Sequence, residues 1–136
     1  MNINELMIGN YVKCVGCKDN IYQVISLFDG DLVTIQNSDD TFDCMLDRVK
    51  SIPITIEWLV KNGFEKRYEE LLGYYYYTKE TKDCLFCITI RGLGDGYFRC
   101  YLDNNFLHSY GYADIQYTHQ LQNLLNTINI KEEFIV

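Results

Sequence analysis

The chain has 136 residues, 48% hydrophobic and 15% aromatic, and a formal net charge of −7. That much apolar material excludes disorder, and a single proline with mixed residue order excludes collagen-like and low-complexity classes. The acidic balance works against duplex DNA as a partner.

Along the chain, four β-rich runs come first: Asn10 to Val15, Ile21 to Phe28, Leu32 to Gln36 and Phe42 to Leu46. Gly9, Gly16, Gly30 and the cluster Asn37-Ser38-Asp39-Asp40 punctuate them, as short antiparallel strands with tight turns require. The pattern is similar to small SH3-like barrels, an analogy of fold and not of function. Between Asp29 and Asp47 stand six aspartates and no lysine or arginine, read as solvated turns or as an acidic face for a basic partner. Pro53 and Thr55 then open a helix whose apolar positions are Ile56, Leu59 and Val60 and whose stop is Gly63. Trp58 is expected to seal the junction between the barrel and the remainder of the chain. The sequence returns to β structure at Tyr74 to Thr78, Cys84 to Ile90 and Gly96 to Leu102, with a weaker run from Phe106 to Tyr110. Gly92 to Gly96 opens a strand and not a helix, so it reads as a hairpin loop and not as a phosphate-binding motif. Tyr117, Leu121, Leu124, Leu125 and Ile128 form one apolar stripe of a C-terminal helix.

The expected fold is therefore α+β: residues 1–52 an SH3-like β-barrel, and 53–136 a helix, an antiparallel meander and a C-terminal helix, packed as one unit. No apolar run nears the roughly 20 residues of a membrane span, and the first ten residues lack the basic and apolar regions of a signal peptide. The expected setting is cytoplasmic, with no membrane partner.

Six cysteines in a reducing compartment are expected to stay thiols. Cys14 and Cys17, and Cys84 and Cys87, are C-x-x-C pairs, which together could build a four-thiolate zinc site. Strand alternation turns Cys84 and Cys87 to opposite faces, so no metal and no cofactor is expected. A Cys100, His119 and Asp114 set can be drawn, but Cys100 alternates with Phe98 and Leu102 and belongs to the interior. No catalytic residue is assigned.

Two binding surfaces stand out instead. His119, Gln122, Asn123 and Asn126 line a polar stripe of the C-terminal helix, where amides and an imidazole could orient a ligand; the other reading is a solvated face. The run Tyr74 to Tyr77 must put rings on both faces of a strand. Its outward pair, Tyr75 with Tyr77 or Tyr74 with Tyr76, could join Tyr97, Arg99 and Tyr101 in an aromatic surface; Tyr75 and Tyr77 are the pair assigned to it. Such a surface could stack bases, but tyrosine with scarce positive charge suits a protein interface at least as well.

Three words of the sequence carry a resemblance: Asn4-Glu5-Leu6-Met7-Ile8-Gly9-Asn10-Tyr11-Val12, Ile54-Thr55-Ile56-Glu57-Trp58-Leu59-Val60-Lys61-Asn62-Gly63-Phe64 and Tyr117-Thr118-His119-Gln120-Leu121-Gln122-Asn123-Leu124. Together they resemble a group of short, uncharacterised proteins of Bacteroides-type bacteria and their phages and mobile elements. The resemblance implies a shared fold and a life on mobile elements, and brings no catalytic residue. The expected function is a non-enzymatic protein-binding module, an accessory or counter-defence factor of such an element. The alternatives are small-ligand or single-stranded nucleic-acid binding through the aromatic sheet, or a minor hydrolase.

Overall fold

A computed structural model describes residues 5–17, 20–28, 31–82, 86–104 and 109–130, with 132 and 134. Its secondary structure is ten strands and two α-helices among these residues, in two antiparallel sheets. The chain divides into two units, one of Met1–Pro53 with Tyr117–Leu124 and the other of Ile54–Gln116 with Leu125–Ile135.

In the first unit, β1 (Tyr11–Cys14), β2 (Ile21–Leu27), β3 (Leu32–Gln36), β4 (Thr41–Met45) and β5 (Val49–Lys50) form a sheet in the order β4-β3-β2-β1-β5. The first four strands match the four runs seen in the sequence. The two-residue β5, reached through a 3-10 turn at Leu46–Arg48, is too short to leave a pattern of its own. Alternation decides what is buried: Val12 and Cys14, Tyr22 and Val24, Val33 and Ile35 and then Cys44 turn inward, joined by Leu6, Leu46 and Val49. β1 and β4 have two strands between them, which in a flat sheet would hold them roughly 14 Å apart. The Cys14 and Cys44 sulfurs are nevertheless 3.5 Å apart, so the sheet is curled on its core. A register shift between Val24 and Ser26 puts a bulge in β2, the usual means of bending a strand.

In the second unit, α1 (Ile56–Lys61) starts where Thr55 caps it, its hydroxyl accepting from the Trp58 N–H at 3.1 Å. Trp58 is buried, and within this unit its ring lies 5.1 Å from that of Phe134. Five strands come next, β6 (Glu65–Glu69), β7 (Tyr74–Glu80), β8 (Phe86–Gly94), β9 (Tyr97–Asn104) and β10 (Ser109–Ile115), in the order β10-β9-β8-β7-β6. β6 leaves no strand signal in the sequence, because Glu65-Lys66-Arg67-Tyr68-Glu69 has charges on both faces and no apolar alternation. The weak run placed at Phe106 to Tyr110 falls partly outside the described residues, and the strand there extends to Ile115. One face of this sheet is buried by Tyr77, Ile88, Ile90, Phe98, Cys100, Leu102 and Ile115.

The C-terminal helix α2 (Thr118–Thr127) begins in the first unit and ends in the second. Of its expected apolar stripe, Leu121 and Leu125 are buried, whereas Leu124 is half-buried and Ile128 lies just beyond the helix. Among the described residues no helix is long and apolar enough to cross a membrane.

Candidate functional site

The polar stripe of α2 is neither solvated nor open along most of its length. Gln122 accepts from the Tyr11 N–H at 3.1 Å through Oε1 and donates to the Gly9 carbonyl at 3.2 Å through Nε2. Asn123 accepts from the Asn10 side-chain amide at 2.9 Å and donates to the Glu5 carbonyl at 2.8 Å. Asn10, fully buried, also accepts from the Met7 N–H at 2.8 Å. Two amide side chains of the helix thus clamp the Glu5 to Tyr11 segment, satisfying backbone groups that have no sheet partner there. His119, 1% exposed, stacks on Tyr117 with ring centroids 5.9 Å apart, and neither Nδ1 nor Nε2 has a hydrogen-bond partner. Burial pushes its imidazole below the usual value, with Glu5 opposing, so the ring is held neutral. Only Asn126 of the four is exposed. The stripe read as a ligand face is in the main an internal clamp.

The tyrosine run divides by parity. The register pairs Tyr68 with Tyr75 and Tyr77 with Ile90, so Tyr75 and Tyr77 share the sheet's buried face. Tyr77 is 6% exposed and belongs to the core, which corrects its assignment to a binding surface. Tyr75 lies past the covered part of that face and is 56% exposed; its ring is 4.8 Å from that of Tyr68, and the Lys66 ammonium sits 4.2 Å above it.

Tyr74 and Tyr76 point the other way, onto the outer face that also carries Arg91, Arg99, Tyr101 and Tyr112. Arg91 stands directly opposite Arg99, a repulsive pairing unless each finds another partner. Both do. The Arg91 guanidinium lies 3.8 Å from the Tyr74 ring centre. Arg99 donates twice to Asp114, at 2.8 and 3.2 Å, and lies 4.5 Å from the Tyr112 ring. That ion pair raises the guanidinium and lowers the Asp114 carboxyl relative to their ordinary values. A shallow cavity of about 230 Å³ opens on this face between Glu69, Tyr74, Tyr76, Arg91, Tyr101 and Asp103. Tyr97 is exposed at the end of β9. The surface expected from Tyr75, Tyr77, Tyr97, Arg99 and Tyr101 is therefore divided: Arg99 and Tyr101 lie together, while Tyr75 and Tyr77 are on the opposite face.

The Cys100, His119 and Asp114 set is not assembled. Cys100 pairs with Ala113, one position from Asp114, so the thiol and the carboxylate leave opposite faces of the sheet. Burial pushes the Cys100 thiol up to about 12. Of the two C-x-x-C pairs, Cys84 lies outside the described residues and Cys87 contacts the Thr78 hydroxyl at 2.8 Å. Cys14, however, has Cys17 at 3.2 Å as well as Cys44.

The feature least expected from the sequence is the β6–β7 turn. Glu69 holds it, its carbonyl accepting from the Gly73 N–H at 2.8 Å and its carboxylate from the Leu71 N–H at 3.2 Å, while Gly73 adopts φ +71°. The turn leaves Leu71 94% and Leu72 70% exposed, and the strands that flank it carry the exposed Tyr68 and Tyr75. Two leucines between a charged strand and a tyrosine run were the available signal. Compared with known protein families, curated proteins and solved structures, the chain matches none.

Proposed function

We propose that the chain is a non-enzymatic, cytoplasmic protein-binding module that holds its partner at the β6–β7 hairpin. The observation that carries this reading is the pair Leu71 and Leu72, displayed to solvent between strands that carry the exposed Tyr68 and Tyr75. Exposed leucine and tyrosine raise the free energy of the isolated molecule in water, and a covering protein surface relieves that. The neighbouring edge strand β6 is an unsuitable place for a partner to add a strand, since Glu65, Lys66, Arg67 and Glu69 guard it. The turn and its tyrosines are the better anchor. The resemblance of the sequence to proteins of phages and mobile elements supports an accessory or counter-defence role.

The test compares wild-type chain with Leu71→Asp/Leu72→Asp in capture from the native host, with melting curves for both. Loss of one captured protein by a variant that melts normally supports the proposal; equal capture by both overturns it. If ultracentrifugation shows that the same change dissolves a self-associated species, the partner is a second copy.

A second reading places a small ligand or single-stranded nucleic acid on the outer face. It is favoured by Arg91, whose Nε is buried without a hydrogen-bond partner beside the tyrosine-lined cavity. Titration with a single-stranded oligonucleotide, followed by tyrosine fluorescence in wild type and Tyr101→Ala, tests it.

A further inference from the structure

The Cys14-Val15-Gly16-Cys17 turn does not require a metal to be of use. The Cys17 N–H donates to the Cys14 carbonyl at 3.3 Å, which closes the turn and brings the two sulfurs to 3.2 Å. A disulfide needs them at about 2.05 Å, so side-chain rotation has little more than 1 Å to supply. On its other side Cys14 has the Cys44 sulfur at 3.5 Å, across the curled sheet. Cys14 and Cys44 are buried and Cys17 is partly exposed, so one thiol of the three can meet a reagent and the other two cannot.

We propose that Cys14, Cys17 and Cys44 form a thiol–disulfide switch that reacts with a small-molecule disulfide of the glutathione class, with Cys17 reacting first and Cys14 closing the protein disulfide. In the first step the Cys17 sulfur, as thiolate, attacks the reagent RSSR. A bond forms between Cys17 and one RS group, and the other leaves as thiolate and takes up the proton that Cys17 lost. The Cys14 sulfur then attacks Cys17, expelling the second RS group, which leaves as RSH with the Cys14 proton. Two protein thiols become one disulfide and one RSSR becomes two RSH, so electrons and protons balance. Cys44 can next attack Cys14 and return Cys17 to a thiol, moving the bond into the core with no change in oxidation state.

The two oxidised forms differ in consequence. A Cys14–Cys17 bond closes a turn that is already formed, whereas a Cys14–Cys44 bond cross-links β1 to β4 and restricts the unfolded chain far more. Both thiols that begin the reaction rest protonated: burial pushes Cys14 up, and the hydrogen bond with Cys14 pushes Cys17 up, with Arg48 opposing in both cases. The switch is therefore slow in a reducing cytosol and operates when the small-molecule disulfide accumulates.

The experiment incubates the reduced full-length chain with mixtures of oxidised and reduced glutathione, quenches by alkylation and maps linked peptides by mass spectrometry. The expected result is loss of two hydrogens, no lasting glutathione adduct, and Cys14 in every linked peptide, reversed by excess reduced glutathione. Cys17→Ser should oxidise about tenfold more slowly, because the buried pair is then reached only through local opening. A stable glutathione adduct on wild-type Cys17, a disulfide that omits Cys14, or unchanged oxidation of Cys17→Ser would each overturn the proposal. The wild-type map decides the matter even if a cysteine variant fails to fold.

Discussion

Asn10 and His119 show two ways in which a polar side chain can be buried, and they predict different sensitivities. Asn10 is matched by Asn123, so Asn123→Ala leaves a buried amide without its acceptor and should cost about 1–3 kcal/mol in urea denaturation, while Asn126→Ala on the exposed part of the same face should stay within about 0.5 kcal/mol. His119 has no such partner and is held neutral by burial. Its pKa is lower folded than unfolded, so the unfolded chain binds the extra proton and the stabilisation present above 6.5 is lost as the pH falls through the folded value. The melting temperature should therefore decline below pH 6.5, and His119→Phe, which retains an aromatic ring beside Tyr117, should flatten that part of the curve. The sequence shows His119, Gln122, Asn123 and Asn126 at helical spacing, and α2 runs through all four. The sequence could not say what lay opposite, since an amide that binds a ligand and one that binds Gly9 or Glu5 of its own chain are written with the same letter.

At the scale of the element, alternation was legible wherever only one face was apolar. β3 is the clearest case: Leu32 to Gln36 has the same bounds in the sequence reading as in the structure. β7 was legible as a strand but not in its orientation, because Tyr74 to Tyr77 offers the same side chain to both faces and only the pairing of Tyr77 with Ile90 decides which is core. β6 was not legible at all, since an edge strand that must avoid pairing carries charge where a central strand carries Val or Ile. The hairpin these two strands make yields a sharp contrast. Tyr77→Ala should destabilise the chain by about 2–4 kcal/mol, and Leu71→Asp with Leu72→Asp by no more than about 0.5 kcal/mol each, as read from chemical denaturation. Comparable losses from all three would mean that the turn is covered within the chain.

For the molecule as a whole, the net charge of −7 and the pairing of Arg99 with Asp114 leave little to attract a phosphate backbone. No retention of mixed-sequence duplex DNA is expected at physiological salt, and tight binding with a steep salt dependence would contradict this. The clamp on the N-terminal segment has a further consequence, in the order of events during synthesis. Glu5 and Asn10 wait for Asn123, 118 and 113 positions later, so the curled sheet, whose last strand ends at Lys50, is still lacking these bonds while more than half of the chain remains to be made. Closing so long a loop is slow compared with forming a hairpin, and it comes after all the hairpins can have formed. A ribosome that stops anywhere in the second sheet thus releases a chain whose first sheet has every strand and no clamp. Until α2 is made, the Glu5 to Tyr11 segment lacks the bonds that Gln122 and Asn123 supply, and its backbone is open to a protease that samples loosened chain.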